Sequence, residues 1–115
     1  MAMIITFVLF VLLHSLFWFG SNYQFSENVS EKSAFILCLV LSVPTSIMTF
    51  YSMKYAYSYL ETAWAVRLFG FGVGYIVFPI LTWIFLHESP FTTKTILSIL
   101  LAFTIIGVQL FVPNN

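Results

Sequence analysis

Residues 62–86 read TAWAVRLFGFGVGYIVFPILTWIFL, and these 25 positions carry one charged side chain, that of Arg67. A helix needs about 20 mostly apolar residues to cross the hydrocarbon layer of a bilayer, with a range of roughly 17–25. A transmembrane strand would be shorter and would alternate between apolar and polar residues, which this stretch does not do. The stretch therefore predicts a membrane-spanning helix.

Three further apolar runs flank this stretch along the chain. Together the four cover residues 2–20, 33–53, 62–86 and 95–112, and their lengths are 19, 21, 25 and 18 residues. All four lengths suit a spanning helix. The connections are too short to hold a soluble domain. The sequence therefore predicts an all-α fold, a four-transmembrane-helix bundle that forms one membrane domain over residues 1–115.

The composition is that of a protein whose solvent is the lipid bilayer. Hydrophobic residues make up 61% of the chain and charged residues only 7%, whereas soluble domains carry roughly 25% charged residues. Four Lys and Arg residues form no basic patch, so we do not expect nucleic acid as a partner. One cysteine, two histidines and no aspartate offer no set of groups for a metal, a cofactor or catalysis. We expect a multi-pass protein of the inner or plasma membrane that is not an enzyme.

Positive charges near the ends of the runs predict the orientation in the membrane. Four crossings place Lys54 on one side, with Arg67 if its side chain reaches the interface, and Lys32 and Lys94 on the other. One interpretation is that this balance permits insertion in both directions and hence an antiparallel homodimer. The other is that the charges are too few to show a bias. Four helices make a thin bundle for a transport path, so we expect self-association or partner membrane subunits.

Two ionisable side chains lie within the apolar runs, where such groups are costly and are therefore candidates for function. His14 shares a helix face with Trp18. It could relay a proton or bind a solute, or it could form a neutral hydrogen bond to a neighbouring helix. Arg67 could hold an anionic group in a cavity, pair with Glu61 or with another subunit, or extend its side chain to the interface.

Small and hydroxyl-bearing residues mark two further faces. Gly70 and Gly74 form a GxxxG pair, which lets two helix backbones approach closely, so we expect helix packing there. Pro79, further along the same run, predicts a kink. In the second run, Ser46 belongs to a row of hydroxyls at helical spacing, which either bond to other helices or line a polar cavity.

The second half of the chain resembles that of small multidrug resistance transporters and the closing helices of the wider drug/metabolite transporter superfamily. The resemblance rests on TAWAVRLFGFGVGYIVFPILTWIFLHESPFTTKTILSILLAFTIIGVQLF, residues 62–111. Its features are a glycine-rich third helix, an acidic residue in a short loop and a Gly-Val pair in the last helix: Gly70, Gly72, Gly74, Glu88 and Gly107-Val108. The resemblance implies an antiparallel homodimer with a binding site between the copies, and a packing role for Gly107.

The chain departs from this family at the residue that attracts cationic substrates. The family has a membrane-embedded glutamate in its first helix, whereas His14 stands near the corresponding place here. Arg67 stands near a position where the family has an aromatic side chain that faces the substrate. These changes would make the cavity neutral or positive, so a neutral or anionic solute is expected in place of a cationic drug.

Two functions follow from this reasoning. The first is a transporter subunit of drug/metabolite type that acts as a dimer and binds its solute through His14, Trp18, Ser46 and Arg67. The second is a structural or accessory subunit of a larger membrane complex, in which the glycine pair and the aromatic faces pack against partners. A polar cavity at mid-membrane lined by His14, Ser46 and Arg67 would favour the first function.

Overall fold

The computed structural model describes residues 1–113, which contain four α-helices and no strand. The helices are α1 (Ala2–Asn22), α2 (Glu31–Leu60), α3 (Ala63–Leu86) and α4 (Thr93–Phe111), with a short 3-10 helix at Tyr23–Phe25. Each α-helix is long and apolar enough to cross a bilayer. The predicted all-α fold with four transmembrane helices is confirmed, and the chain is a multi-pass integral membrane protein.

Hydroxyl side chains determine where three of the helices begin. Ser30, Thr62 and Thr92 each accept a hydrogen bond from the backbone N–H three residues further on, at 3.1, 3.1 and 3.2 Å. Such a cap satisfies a donor that has no partner within its own helix. The apolar runs predicted from the sequence begin within two residues of the helices.

The second helix is longer than the apolar run that predicts it. That run ends at residue 53, whereas α2 continues to Leu60 through the sequence KYAYSYL. Hydropathy marks only the part of a helix that matches the hydrocarbon layer, and lysine and tyrosine are typical of the interface beyond it. With 30 residues, α2 extends for about 45 Å at 1.5 Å per residue.

Two helices end at a residue with a left-handed backbone. Glu61 closes α2 with φ 69°, and His87 closes α3 with φ 60°. Glycine is the usual residue in this conformation because a Cβ atom is crowded there. Both helix ends therefore carry local backbone strain.

The helices pack in the order α2, α1, α3, α4. α1 packs along both α2 and α3, and α4 packs on α3, whereas α2 and α3 touch over a shorter length. α1 and α3 run parallel, because Phe10 meets Gly70 and Trp18 meets Thr82. The core lies where α1, α2 and α3 meet, and it consists of Phe10, Leu13, Ala56, Val66, Phe69, Val73 and Val77.

The glycines of α3 serve two different interfaces. Gly70 and Gly74 lie against α1, and a Cβ atom at Gly70 would be 3.6 Å from a phenylalanine ring of that helix. Gly72 lies against α4, where a Cβ atom would overlap the Cγ1 atom of Ile106 and lie 3.2 Å from the Ala102 carbonyl oxygen. α3 is therefore in close contact with a neighbour on two faces.

Gly107 has no close neighbour within the chain, and Pro79 does not interrupt its helix. No atom lies within 4 Å of the Cβ that Gly107 would carry, so its packing role stays a prediction for contacts with another molecule. Pro79 lies inside α3, which continues past it to Leu86 without interruption. Because proline has no N–H, the carbonyl group of Tyr75 loses the donor that a helix would otherwise provide.

Candidate functional site

The imidazole of His14 lies against the glycine pair of α3. Its Nε2 atom is 2.8 Å from the carbonyl oxygen of Gly70, and a Cβ atom at Gly74 would be 2.9 Å from its Cε1 atom. A carbonyl oxygen can only accept, so Nε2 carries a proton and donates this hydrogen bond. In a neutral ring, Nδ1 is then an acceptor, and no partner for it lies within residues 1–113.

Trp18 lies one helical turn beyond His14 and fixes α1 against α3. Its side chain is 2% exposed, and its Nε1–H group donates to the hydroxyl of Thr82 at 3.0 Å. Its ring also contacts those of Phe19 and Phe85, with centroid distances of 5.2 and 5.7 Å. This predicted binding residue therefore also holds two helices together.

A cavity of about 360 Å³ lies between α1 and α3 beside these two residues. We name it the His14 cavity, and its lining residues are His14, Phe17, Trp18, Asn22, Phe71, Gly74, Tyr75 and Phe78. Its volume falls within the range of small-molecule sites, roughly 300–1,000 Å³. Gly74 stands halfway along α3 and Asn22 is the last residue of α1, so the cavity extends from the middle of the helices toward the end of the bundle where α1 ends.

Arg67 stands next to the His14 cavity without lining it. The side chain is exposed, and its guanidinium carbon lies 4.6 Å from the ring centroid of Phe71, which forms part of the cavity wall. This is a cation–π contact. Arg67 and Glu61, which the sequence offered as one pairing, form no ion pair within the described residues. The charge of Arg67 is thus held at the edge of an otherwise uncharged cavity.

Ser46 lines a different cavity, of about 230 Å³, between α1 and α2. Thr45 lines it as well, and Phe17 forms part of the wall of both cavities. Two other hydroxyls of the row in α2 bond to their own helix. The hydroxyl of Ser42 donates to the Leu39 carbonyl at 2.6 Å, and the hydroxyl of Thr49 donates to the Thr45 carbonyl at 2.7 Å. The row therefore does not face the His14 cavity.

The structure thus brings together two of the four predicted binding residues. His14 and Trp18 line one cavity, Arg67 lies beside it, and Ser46 lies apart from it. Sequence reasoning missed the aromatic wall on α3 formed by residues 71, 75 and 78. Their spacing of four and three residues was a signal for one helix face, but aromatic residues at such spacing are also typical of surfaces that face lipid or protein.

Comparison with known proteins gives no match. No family model matches the chain, no curated protein matches its sequence and no solved structure matches its fold. The fold and the cavity therefore define only a class: a small multi-pass membrane protein of four helices, with an aromatic-walled cavity that extends from the middle of the helices to the end of α1. The resemblance to small multidrug resistance transporters stays a prediction.

Proposed function

We propose that this protein is a transporter subunit that binds a small neutral or anionic solute in the His14 cavity and carries out no covalent reaction on it. The observation that carries the proposal is a cavity that reaches the middle of the helices and has an ionisable imidazole in its wall at that depth. Polar groups at this depth are costly and are usually kept for a function. A ligand-sized cavity around such a group favours solute binding over packing alone.

The charges around the cavity support the choice of solute. No carboxylate is present among its lining residues, so nothing there would balance a cationic substrate. The nearest permanent charge is the guanidinium group of Arg67, which lies against the Phe71 wall. A neutral solute, or an anion whose charge reaches Arg67, fits this arrangement.

A second copy of the chain is part of the proposal because one copy leaves the cavity open. Phe17, Tyr75 and Phe78 line it and are 62%, 54% and 48% exposed. A bound solute would therefore contact lipid on one side. A homodimer that covers this side would enclose the solute, and the balanced charges of the connections permit the two copies to insert in opposite directions.

Uptake into proteoliposomes tests the transport function. We would compare radiolabelled uridine, a neutral aromatic solute, with radiolabelled 4-hydroxybenzenesulfonate, a permanent anion, in vesicles with and without the protein. We expect protein-dependent uptake of at least one of them. If the purified, folded protein accelerates neither of them, nor a wider panel of neutral and anionic aromatic solutes, transport is excluded as the function.

A matched pair of variants ties uptake to the cavity. Phe78→Trp enlarges a side chain that lines the His14 cavity and not the cavity beside Ser46, so we expect uptake to fall several-fold. Phe50→Trp makes the same change on α2 at another exposed side chain, 63% against 48%, that lines none of the cavities described above. Equal uptake by both variants would remove the His14 cavity from the transport path.

The alternative function is a structural or accessory subunit of a larger membrane complex. It is favoured by α2 and α4, since only 6% of the most apolar window of each is buried within the chain. These faces could pack against other subunits as well as against lipid. Purification from native membranes would distinguish the two, because stoichiometric foreign subunits support the accessory role and a homodimer alone supports the transporter.

A further inference from the structure

We propose that the solute of the His14 cavity is a planar, uncharged aromatic molecule that donates an N–H or O–H hydrogen bond to the Nδ1 atom of His14. This inference rests on the proposed function and names the substrate class of the same site. Two features of the cavity carry it, namely the hydrogen-bonding state of its polar groups and the chemistry of its walls.

Two acceptors beside the cavity lack a usual donor, whereas the side chains of Asn22 and Tyr75, which also line it, carry donors of their own. The bond from Nε2 to Gly70 leaves Nδ1 of neutral His14 as an acceptor without a partner in the described chain. The carbonyl of Tyr75, another lining residue, has lost its helical donor because Pro79 stands four positions further on. Acceptors without donors in an apolar place are costly, so a ligand that donates a hydrogen bond is favoured here.

The walls of the cavity favour a flat aromatic ligand. Phe17, Phe71 and Phe78 present phenyl rings, and Trp18 and Tyr75 add two further aromatic side chains. Aromatic rings associate in stacked or edge-to-face pairs that gain more than the burial of their area alone. A cavity of about 360 Å³ has room for a molecule of two fused rings.

Charge is disfavoured inside this cavity. No lining residue is cationic, so an anionic group among the phenyl rings would lose its hydration with only the neutral donors of Asn22 and Tyr75 to replace it. Arg67 could provide a cationic partner, but its guanidinium carbon already lies 4.6 Å from the centroid of the Phe71 ring. The part of the ligand that enters the cavity is therefore uncharged, and specificity comes from one hydrogen bond.

The test uses two probes with the same naphthalene ring and oxygen atom, of which one carries the donating hydrogen and the other a methyl group in its place. We would measure the binding of 2-naphthol and of 2-methoxynaphthalene to the full chain in phosphatidylcholine nanodiscs by calorimetry, and subtract the partition into empty nanodiscs. One net hydrogen bond corresponds to roughly a five- to tenfold difference in affinity. We expect 2-naphthol to bind that much more tightly.

Variants assign the difference to His14. We expect His14→Phe to bring the two affinities within about twofold of each other, because the acceptor is lost and an aromatic ring is kept. Ser46→Ala, in the other cavity, should retain the full preference. If His14→Phe does not fold, the ¹⁵N spectrum of histidine-labelled wild-type protein decides: 2-naphthol should shift Nδ1 of His14 and leave His87, which lies outside the cavity, unchanged.

Several outcomes would overturn the inference. Equal affinity of the two probes, or an unshifted Nδ1 of His14, removes the hydrogen bond. If 2-naphthoate binds more tightly than 2-naphthol and this binding is lost in Arg67→Gln, the ligand is an anion held by Arg67. The proposed function allows such a ligand, but this inference does not. Absence of any binding points to lipid or a second copy in the cavity. Binding as expected without solute uptake keeps this inference and excludes transport.

Discussion

Gly74 makes possible the close approach of the His14 ring to α3. A Cβ atom at this position would lie 2.9 Å from Cε1 and 3.1 Å from Nδ1 of the imidazole. The ring cannot simply move away, because Nε2 is bound to Gly70 at 2.8 Å. A side chain at position 74 is therefore compatible with the hydrogen bond of His14 only if α1 or α3 shifts.

We expect Gly74→Ala to destabilise the protein by about 1–3 kcal/mol, the usual cost of overpacking. The matched control is Gly107→Ala, because the added methyl group would meet no atom within 4 Å; we expect a change within about 0.5 kcal/mol. Tryptophan fluorescence during denaturation by dodecyl sulfate in mixed micelles measures both. Equal stability of the two variants would contradict the close contact at His14.

The hydrogen bond between Trp18 and Thr82 leads to a second prediction. Thr82→Val keeps the shape of the residue but removes the acceptor, which leaves the buried indole N–H without a partner. We expect a loss of about 1 kcal/mol, measured by the same denaturation. Thr104→Val is the control, because that hydroxyl is exposed and bonds to its own helix at the Leu100 carbonyl. A loss of the same size in the control would show that the contact with Trp18 has no special weight.

At the scale of the helices, the sequence predicted the elements well and their contacts less well. Apolar runs mark where a chain enters the hydrocarbon layer, so the helix starts were predicted within two residues. The GxxxG pattern indicated a close helix contact but not which helix provides it. Gly72 was not assigned to packing, although it lies against α4, because spacing within one helix does not identify its neighbours.

No glycine marks the ends of α2 and α3, since Glu61 and His87 stand where glycine is usual; the apolar run still predicted the end of α3 at residue 86, whereas that of α2 was predicted too early. We expect His87→Gly to stabilise the protein by about 1 kcal/mol, because glycine removes the crowding of Cβ at φ 60°. His87→Ala retains that atom and should leave the stability within about 0.5 kcal/mol of the wild type. Both are measured by the same denaturation, and a gain in the alanine variant would show that the imidazole itself is unfavourable.

At the scale of the whole molecule, the candidate site depends on how each helix is rotated about its axis. Ser46 and His14 were predicted to share a site because both carry polar side chains at membrane depth. In the structure they line separate cavities, His14 between α1 and α3 and Ser46 between α1 and α2. Apolar side chains fit lipid and protein equally well, so a sequence this apolar does not specify which faces meet.

The orientation of the whole chain in the membrane can be tested by changing its positive charges. With Lys54 and Arg67 against Lys32 and Lys94, we expect C-terminal reporter fusions to show both orientations in comparable amounts. Adding two positive charges to the first connection, as Gln24→Lys with Ser26→Lys, should place that connection in the cytoplasm. Two glutamates at the same positions should have little effect, because acidic residues contribute little to orientation. A single orientation of the wild type would exclude the antiparallel dimer.

The unequal helix lengths have a consequence for the surrounding lipid. α4 has 19 residues and extends for about 28 Å, which matches a hydrocarbon thickness of roughly 30 Å. α2 is about half as long again, so it must tilt or leave its tyrosine-rich end among the headgroups. In a thicker bilayer α2 stands more upright while the lipid beside α4 is compressed. Acyl-chain length therefore sets the inclination of the protein and, with it, the depth at which His14 meets the membrane.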